Sequence, residues 1–171
     1  MSWERNIVLK SPQEIAVMRQ AGRINALALQ TVREMIRPGI TTAELDAAAE
    51  AVIRKHGAVP TFKGYPGPYP FPATICASIN EQLVHGIPGK RILQAGDVIS
   101  IDCGSTFEGF VGDAAITVGV GEISPEAHRL IEVTEQALYE GIRQMWAGNR
   151  VGDISASIQK YVDSYVLPDP R

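Results

Sequence analysis

Asp102 and Asp113 stand eleven residues apart, each inside a run that alternates apolar and polar side chains. The runs are Asp97-Val98-Ile99-Ser100-Ile101-Asp102-Cys103 and Phe110-Val111-Gly112-Asp113-Ala114-Ala115-Ile116-Thr117-Val118. Alternation of this kind predicts two half-buried strands, and Thr106-Phe107-Glu108-Gly109 between them predicts a tight turn. A turn centred between Phe107 and Glu108 sets Ile99 against Ile116 and Ile101 against Ala114 on an apolar face. On the other face Ser100 then meets Ala115, and Asp102 meets Asp113 directly. Like charges directly opposed across a sheet repel. The repulsion is relieved if the carboxyls share a proton, splay into solvent, or hold a divalent cation between them. A bulge that slips the register and moves the two aspartates apart is the alternative.

Two more segments carry polar groups where apolar strands end. Val84-His85-Gly86-Ile87-Pro88 puts a histidine before a tight turn, and Ile75-Cys76-Ala77-Ser78-Ile79 leads into Asn80-Glu81. Read alone, His85 is either a site residue or a loop histidine, and Asn80-Glu81 is either functional or a hairpin turn.

The elements that must position these residues are legible in outline. Ser11-Pro12-Gln13-Glu14 forms a capping box with proline at the first helical position. The helix it opens places Ile15, Met18, Ile24, Leu27, Val32 and Ile36 on a broad apolar face and stops at Pro38-Gly39. Thr41 or Thr42 caps a second helix over about 43–55, with Leu45, Ala48, Ala49 and Val52 inward and His56-Gly57 as its end. Residues 57–74 are too rich in glycine and proline for a helix. Short strands are expected at 59–62, 74–79, 82–85, 97–103 and 109–120, then helices over about 124–145 and 151–165.

The chain also echoes itself. Ser11-Pro12 and a long helix recur at Ser124-Pro125, an offset of 113, and the glycine turn into the second helix recurs at an offset of 109. This predicts two halves of a duplicated fold, of which the second reaches only its helices. The 171 residues are 45% hydrophobic and 20% charged, the composition of a globular domain. No apolar run is long enough to span a membrane, and the first residues lack the apolar core of a signal peptide. A net charge of −3 argues against a nucleic-acid partner. Cys76 and Cys103 form no metal or disulfide pattern and are expected as free thiols in the cytoplasm.

Taken in order, the motifs resemble type I methionine aminopeptidase, a pita-bread metallopeptidase of family M24. They are Gly64-Tyr65, Ile75 to Glu81, His85-Gly86-Ile87-Pro88, Gly96 to Asp102 and Gly109-Phe110-Val111-Gly112-Asp113, together with Lys10 to Ile15 and Met18 to Arg23. The likeness covers residues 7 to about 165. It implies an α+β pita-bread fold, an antiparallel sheet with helices on one side, consisting of a first pseudo-repeat over about 7–122 and the helices of a second over about 123–165. It implies removal of the initiator methionine from nascent polypeptides whose second residue is small. Asp102 and Asp113 would hold two divalent ions, with Co, Mn, Fe(II) and Zn all suitable for such donors. His85 would contact the substrate and steady the tetrahedral intermediate, while Tyr65, Cys76 and Phe62 would line the methionine pocket.

The resemblance also implies donors that these residues do not include: a histidine and two glutamates in the second sheet. His56, His128 and the glutamates of the 124–145 helix read as helix-face residues and are not assigned to metal. Residues 166–171, with Pro168 and Pro170, break the family pattern and are expected to be an atypical tail of a truncated chain. Metal binding is therefore expected to be weak or absent, and an exposed sheet edge to favour self-association. Two further readings stand beside the aminopeptidase: a non-catalytic pita-bread fragment that binds peptide or protein, and a relative acting at X-Pro bonds.

Overall fold

The structure, a computed structural model, describes residues 8–165. The element order is α1 (Pro12–Met35), α2 (Thr42–Lys55), β1 (Val59–Pro60), β2 (Ile75–Ile79), β3 (Val98–Phe107), β4 (Phe110–Gly119), α3 (Pro125–Ile142) and α4 (Val151–Asp163). The architecture is α+β, as the motifs imply. Two compact units divide between Glu122 and Ile123.

In the first unit β3 is the centre of an antiparallel sheet. It pairs with β4 along one edge and with β2 and then β1 along the other. Residues opposed across the ladders share a face. Ile79, Ile99 and Val118, then Ala77, Ile101 and Ile116, then Ile75, Cys103 and Ala114 form its apolar rows. Against this face pack Ile24, Ala28, Leu29 and Val32 of α1 and Leu45, Ala49 and Ile53 of α2, giving one core. At about 25 cal/mol per Å², burial of these side chains is the main stabilising term. Both helices start with complete capping boxes, Ser11 with Glu14 and Thr41 with Glu44.

Contact between α1 and the hairpin is close because the residues there are small. Ser105 donates to the Ala21 carbonyl at 3.0 Å. A Cβ at Gly112, the residue paired with Ser105, would lie 2.6 Å from backbone atoms of Ala21 and Gly22. Helix α1 thus rests on the strand backbone next to Asp113.

Several expectations are corrected. Ile15, Met18 and Leu27 are exposed, so the buried stripe of α1 is Ala21, Ile24, Asn25, Ala28, Leu29 and Val32. The strand expected at 82–85 does not form: Gln82 folds back to accept from the Ile79 amide, and His85 takes a left-handed φ of 60°. The β3–β4 register differs by two residues from that expected. Glu108 and Gly109 form a two-residue turn with φ of 47° and 82°, the signature of a type I′ hairpin. Phe107 therefore pairs with Phe110 and Asp102 with Ala115, while Asp113 pairs with Gly104.

In the second unit α3 starts at Ser124, whose hydroxyl accepts from the Ala127 amide. It packs on α4 at Gly141, where a Cβ would meet Ile158 at 2.8 Å. The expected tail lies outside the described residues.

Candidate active site

A slip of two residues leaves every side chain on its original face. Asp102 and Asp113 therefore still project from the face opposite the core, as diagonal rather than direct neighbours. Three rows describe this polar face: Ser78, Ser100 and Thr117; Cys76, Asp102 and Ala115; then Gly104 and Asp113. Ser100 and Thr117 share a hydroxyl hydrogen bond of 2.9 Å.

Asp102 is half-buried and Asp113 exposed. Burial, and then the Asp113 carboxylate, push the Asp102 carboxyl above the usual aspartate range, while His85 acts in the opposite sense. The two aspartates and the histidine thus belong to one electrostatic neighbourhood. Cys76 lies in the same row as Asp102 and is buried. Burial and the two carboxylates push its thiol up to about 11, so it stays neutral near pH 7 where it is buried. Cys103, on the core face, is pushed up to about 12, first by burial. Both cysteines are free.

His85 is exposed, but its backbone is fixed. Gly86 next to it accepts from the Ala77 amide at 2.8 Å and donates to the Ser78 hydroxyl at 3.1 Å. A Cβ at Gly86 would lie 2.1 Å from the Ala77 oxygen, so only glycine allows this approach to the edge of β2. Farther along, Thr42 bonds both the amide and the carbonyl of Gly89, and Leu93 pairs with Gly39 and Ile40. The loop that carries His85 is thus held by β2 at one end and by the start of α2 at the other.

Phe62 is half-buried, and its ring covers Gly104, where a Cβ would lie 2.8 Å from Cε1. It therefore walls the site beside Asp113. Tyr65 is not gathered in: it is 65% exposed on the loop that follows. Asn80 proves structural. Its side chain donates to Asp97 and accepts from the Val98 amide, both at 2.9 Å, while Glu81 is exposed. Gly104, Gly86 and Ser78 were not singled out from sequence. A glycine inside a strand pattern was the available signal for Gly104.

Two carboxylates on one face supply hard oxygen donors suited to a divalent ion. Among the described residues no third histidine, cysteine, aspartate or glutamate completes a metal-binding group with them. The pair fits part of a metal site, and the remaining donors must be water or groups beyond these residues.

Comparison with known proteins agrees with this chemistry. The sequence profile of metallopeptidase family M24 matches residues 16–169. A methionine aminopeptidase of Clostridium acetobutylicum is 51% identical over 160 residues, covering 93% of this chain and 63% of that protein. Methionine aminopeptidase 1 of Bacillus subtilis is 50% identical over 158 residues, covering 92% and 62%. The crystal structure of a Thermotoga maritima methionine aminopeptidase superposes with a TM-score of 0.89 at 38% identity, over 93% of this chain and 63% of that one. A Pyrococcus furiosus prolidase shares the fold at 20% identity, with a TM-score of 0.81 over 92% of this chain and 44% of that one. The chain spans a little under two thirds of the length of the methionine aminopeptidases it matches. With its profile match extending over most of its length, the chain belongs to metallopeptidase family M24.

Proposed function

We propose that this chain carries the first half of the site of a metal-dependent methionine aminopeptidase, which removes the N-terminal methionine from nascent polypeptides with a small second residue. The observation that carries the reading is the Asp102–Asp113 pair on the polar sheet face, with His85 held at the edge of β2 through its neighbour Gly86. Identity near 50% to methionine aminopeptidases supports that substrate over an X-Pro bond, since the X-Pro enzyme matches only at the level of fold.

In this reading Asp102 and Asp113 hold two divalent ions, of the Co, Mn, Fe(II) or Zn type, with donors beyond the described residues. Bound divalent ions would supply Lewis acidity and a water of lowered pKa. The chain's own residues bind and orient. His85, fixed through Gly86 but exposed at its ring, donates a hydrogen bond to the peptide at the scissile carbonyl. Phe62 and Cys76 flank the carboxylates with apolar surface suited to a thioether, whereas Tyr65 stands exposed on its loop.

The test is methionine release from a Met-Ala-Ser peptide with added Mn²⁺ or Co²⁺, against Asp102→Asn. Release above that control supports the reading, and equal rates contradict it. A second reading, peptide binding without hydrolysis, is favoured by the lack of a third donor among the described residues. It predicts equal rates with retained peptide binding.

A further inference from the structure

A single carboxylate oxygen of α2 joins both ends of the loop that walls the polar face. Glu50 Oε2 accepts from Lys63 Nζ at 2.7 Å and from the Thr74 hydroxyl at 3.3 Å. The other oxygen, Oε1, accepts from Arg54 Nε at 2.8 Å, which holds the carboxylate in place. One turn earlier in α2, Asp46 Oδ1 accepts from the amides of Thr74 and Ile75 at 2.8 and 2.9 Å. Between these anchors the loop closes on itself, with Gly64 donating to the Phe71 carbonyl and Phe71 to that of Tyr65.

What the two ends carry gives the arrangement its consequence. Phe62, over Gly104, directly precedes Lys63, and Cys76, in the Asp102 row, follows Thr74 by two residues. We propose that Glu50 is a positioning residue, a clasp that sets Phe62 and Cys76 at their places beside the carboxylate pair by tying Lys63 to Thr74. Among the described residues its side chain bonds Lys63, Arg54 and Thr74 and neither aspartate of the pair. Its effect on substrate rests on the aminopeptidase reading, whereas the clasp itself does not.

The bonds are charge-assisted, so losing them should shift a local opening equilibrium by about tenfold. Trypsin reads one end directly, because the Lys63–Gly64 bond is a cleavage site whose side chain the clasp holds. The two thiols read the other end. Cys76 lies two residues from Thr74, whereas Cys103 is buried in the central strand, so a global loosening exposes both and a local one only Cys76. In the full chain, Glu50→Gln should speed cleavage after Lys63 about tenfold. Maleimide labelling of Cys76 should rise with that of Cys103 unchanged. Thr74→Val, which removes one partner and keeps the carboxylate, should raise Cys76 labelling to a smaller degree. Unchanged cleavage after Lys63, or parallel labelling of both thiols in both variants, would overturn the proposal. Where the unsubstituted protein releases methionine, Glu50→Gln should raise KM several-fold at unaltered kcat, and an equal fall in kcat would contradict positioning. If it releases none, the aminopeptidase reading fails while the cleavage and labelling results still decide the clasp.

Discussion

Helix α1 buries six residues and α2 four, whereas α3 buries two and α4 none, although the two hairpins share a plan. Each begins at a serine N-cap followed by proline and turns through glycine into a shorter helix. The difference is the sheet. In the first unit, the apolar rows of β2, β3 and β4 complete the core that the helices begin. In the second, Leu130, Leu138, Ile142, Met145 and Trp146 remain exposed. Capping and amphipathic pattern are enough to make a helix, and burial decides how much that helix contributes to stability.

Truncation should show this contrast most strongly. Leu45→Ala, at a fully buried position, is expected to cost about 3 kcal/mol, whereas Leu138→Ala, 53% exposed, should cost under about 1 kcal/mol. Urea denaturation of both variants checks it, and similar losses would break the comparison.

Glycine substitution sharpens the comparison at the packing contacts. At Gly112 a Cβ meets the backbone of α1, which cannot yield, and Gly112→Ala should cost about 2 kcal/mol. At Gly141 the obstacle is side chain and not backbone, Cδ1 and Cγ1 of Ile158 at 2.8 and 2.9 Å, which a small shift of α4 relieves, while alanine favours the helix by about 1 kcal/mol. Gly141→Ala should therefore be close to neutral. Thermal melts distinguish the two cases.

The smallest effect concerns a buried polar side chain of α1. Asn25 is buried, and neither its side-chain nitrogen nor its oxygen has a hydrogen-bond partner among the described residues. At the offset of 113 its counterpart is Leu138. Asn25→Leu keeps the branched shape and removes an unsatisfied amide, and should stabilise the chain by about 1 kcal/mol. A loss of stability would mean that the amide is satisfied in solution, for instance by a buried water.

Most of this architecture was readable because alternation and capping are local signals. Ser11 and Glu14 marked the start of α1, and the alternation around Asp102 and Asp113 assigned both to one face. The register was not readable, because type I′ turns favour Asn or Gly first and this one opens with Glu108. The buried stripe of α1 is not its row of largest apolar residues, because size and burial are different things. Close contact with the hairpin at Gly112 selects a small residue at Ala21, and Met18 and Leu27 lie outside the buried stripe. The support of His85 was hidden for another reason: it depends on Gly86 meeting β2 and Thr42 meeting Gly89, contacts between distant segments that no local pattern encodes.

The central claim is that the Asp102–Asp113 pair is a functional donor pair and not a tolerated repulsion. Titration of the purified chain with Mn²⁺, followed by the loss of free-ion electron paramagnetic resonance signal, tests it most directly. The account predicts weak binding that disappears in Asp102→Asn and falls in Asp113→Asn, with both variants still folded. Binding that is unchanged by either substitution, or absent from the unsubstituted chain, would contradict it.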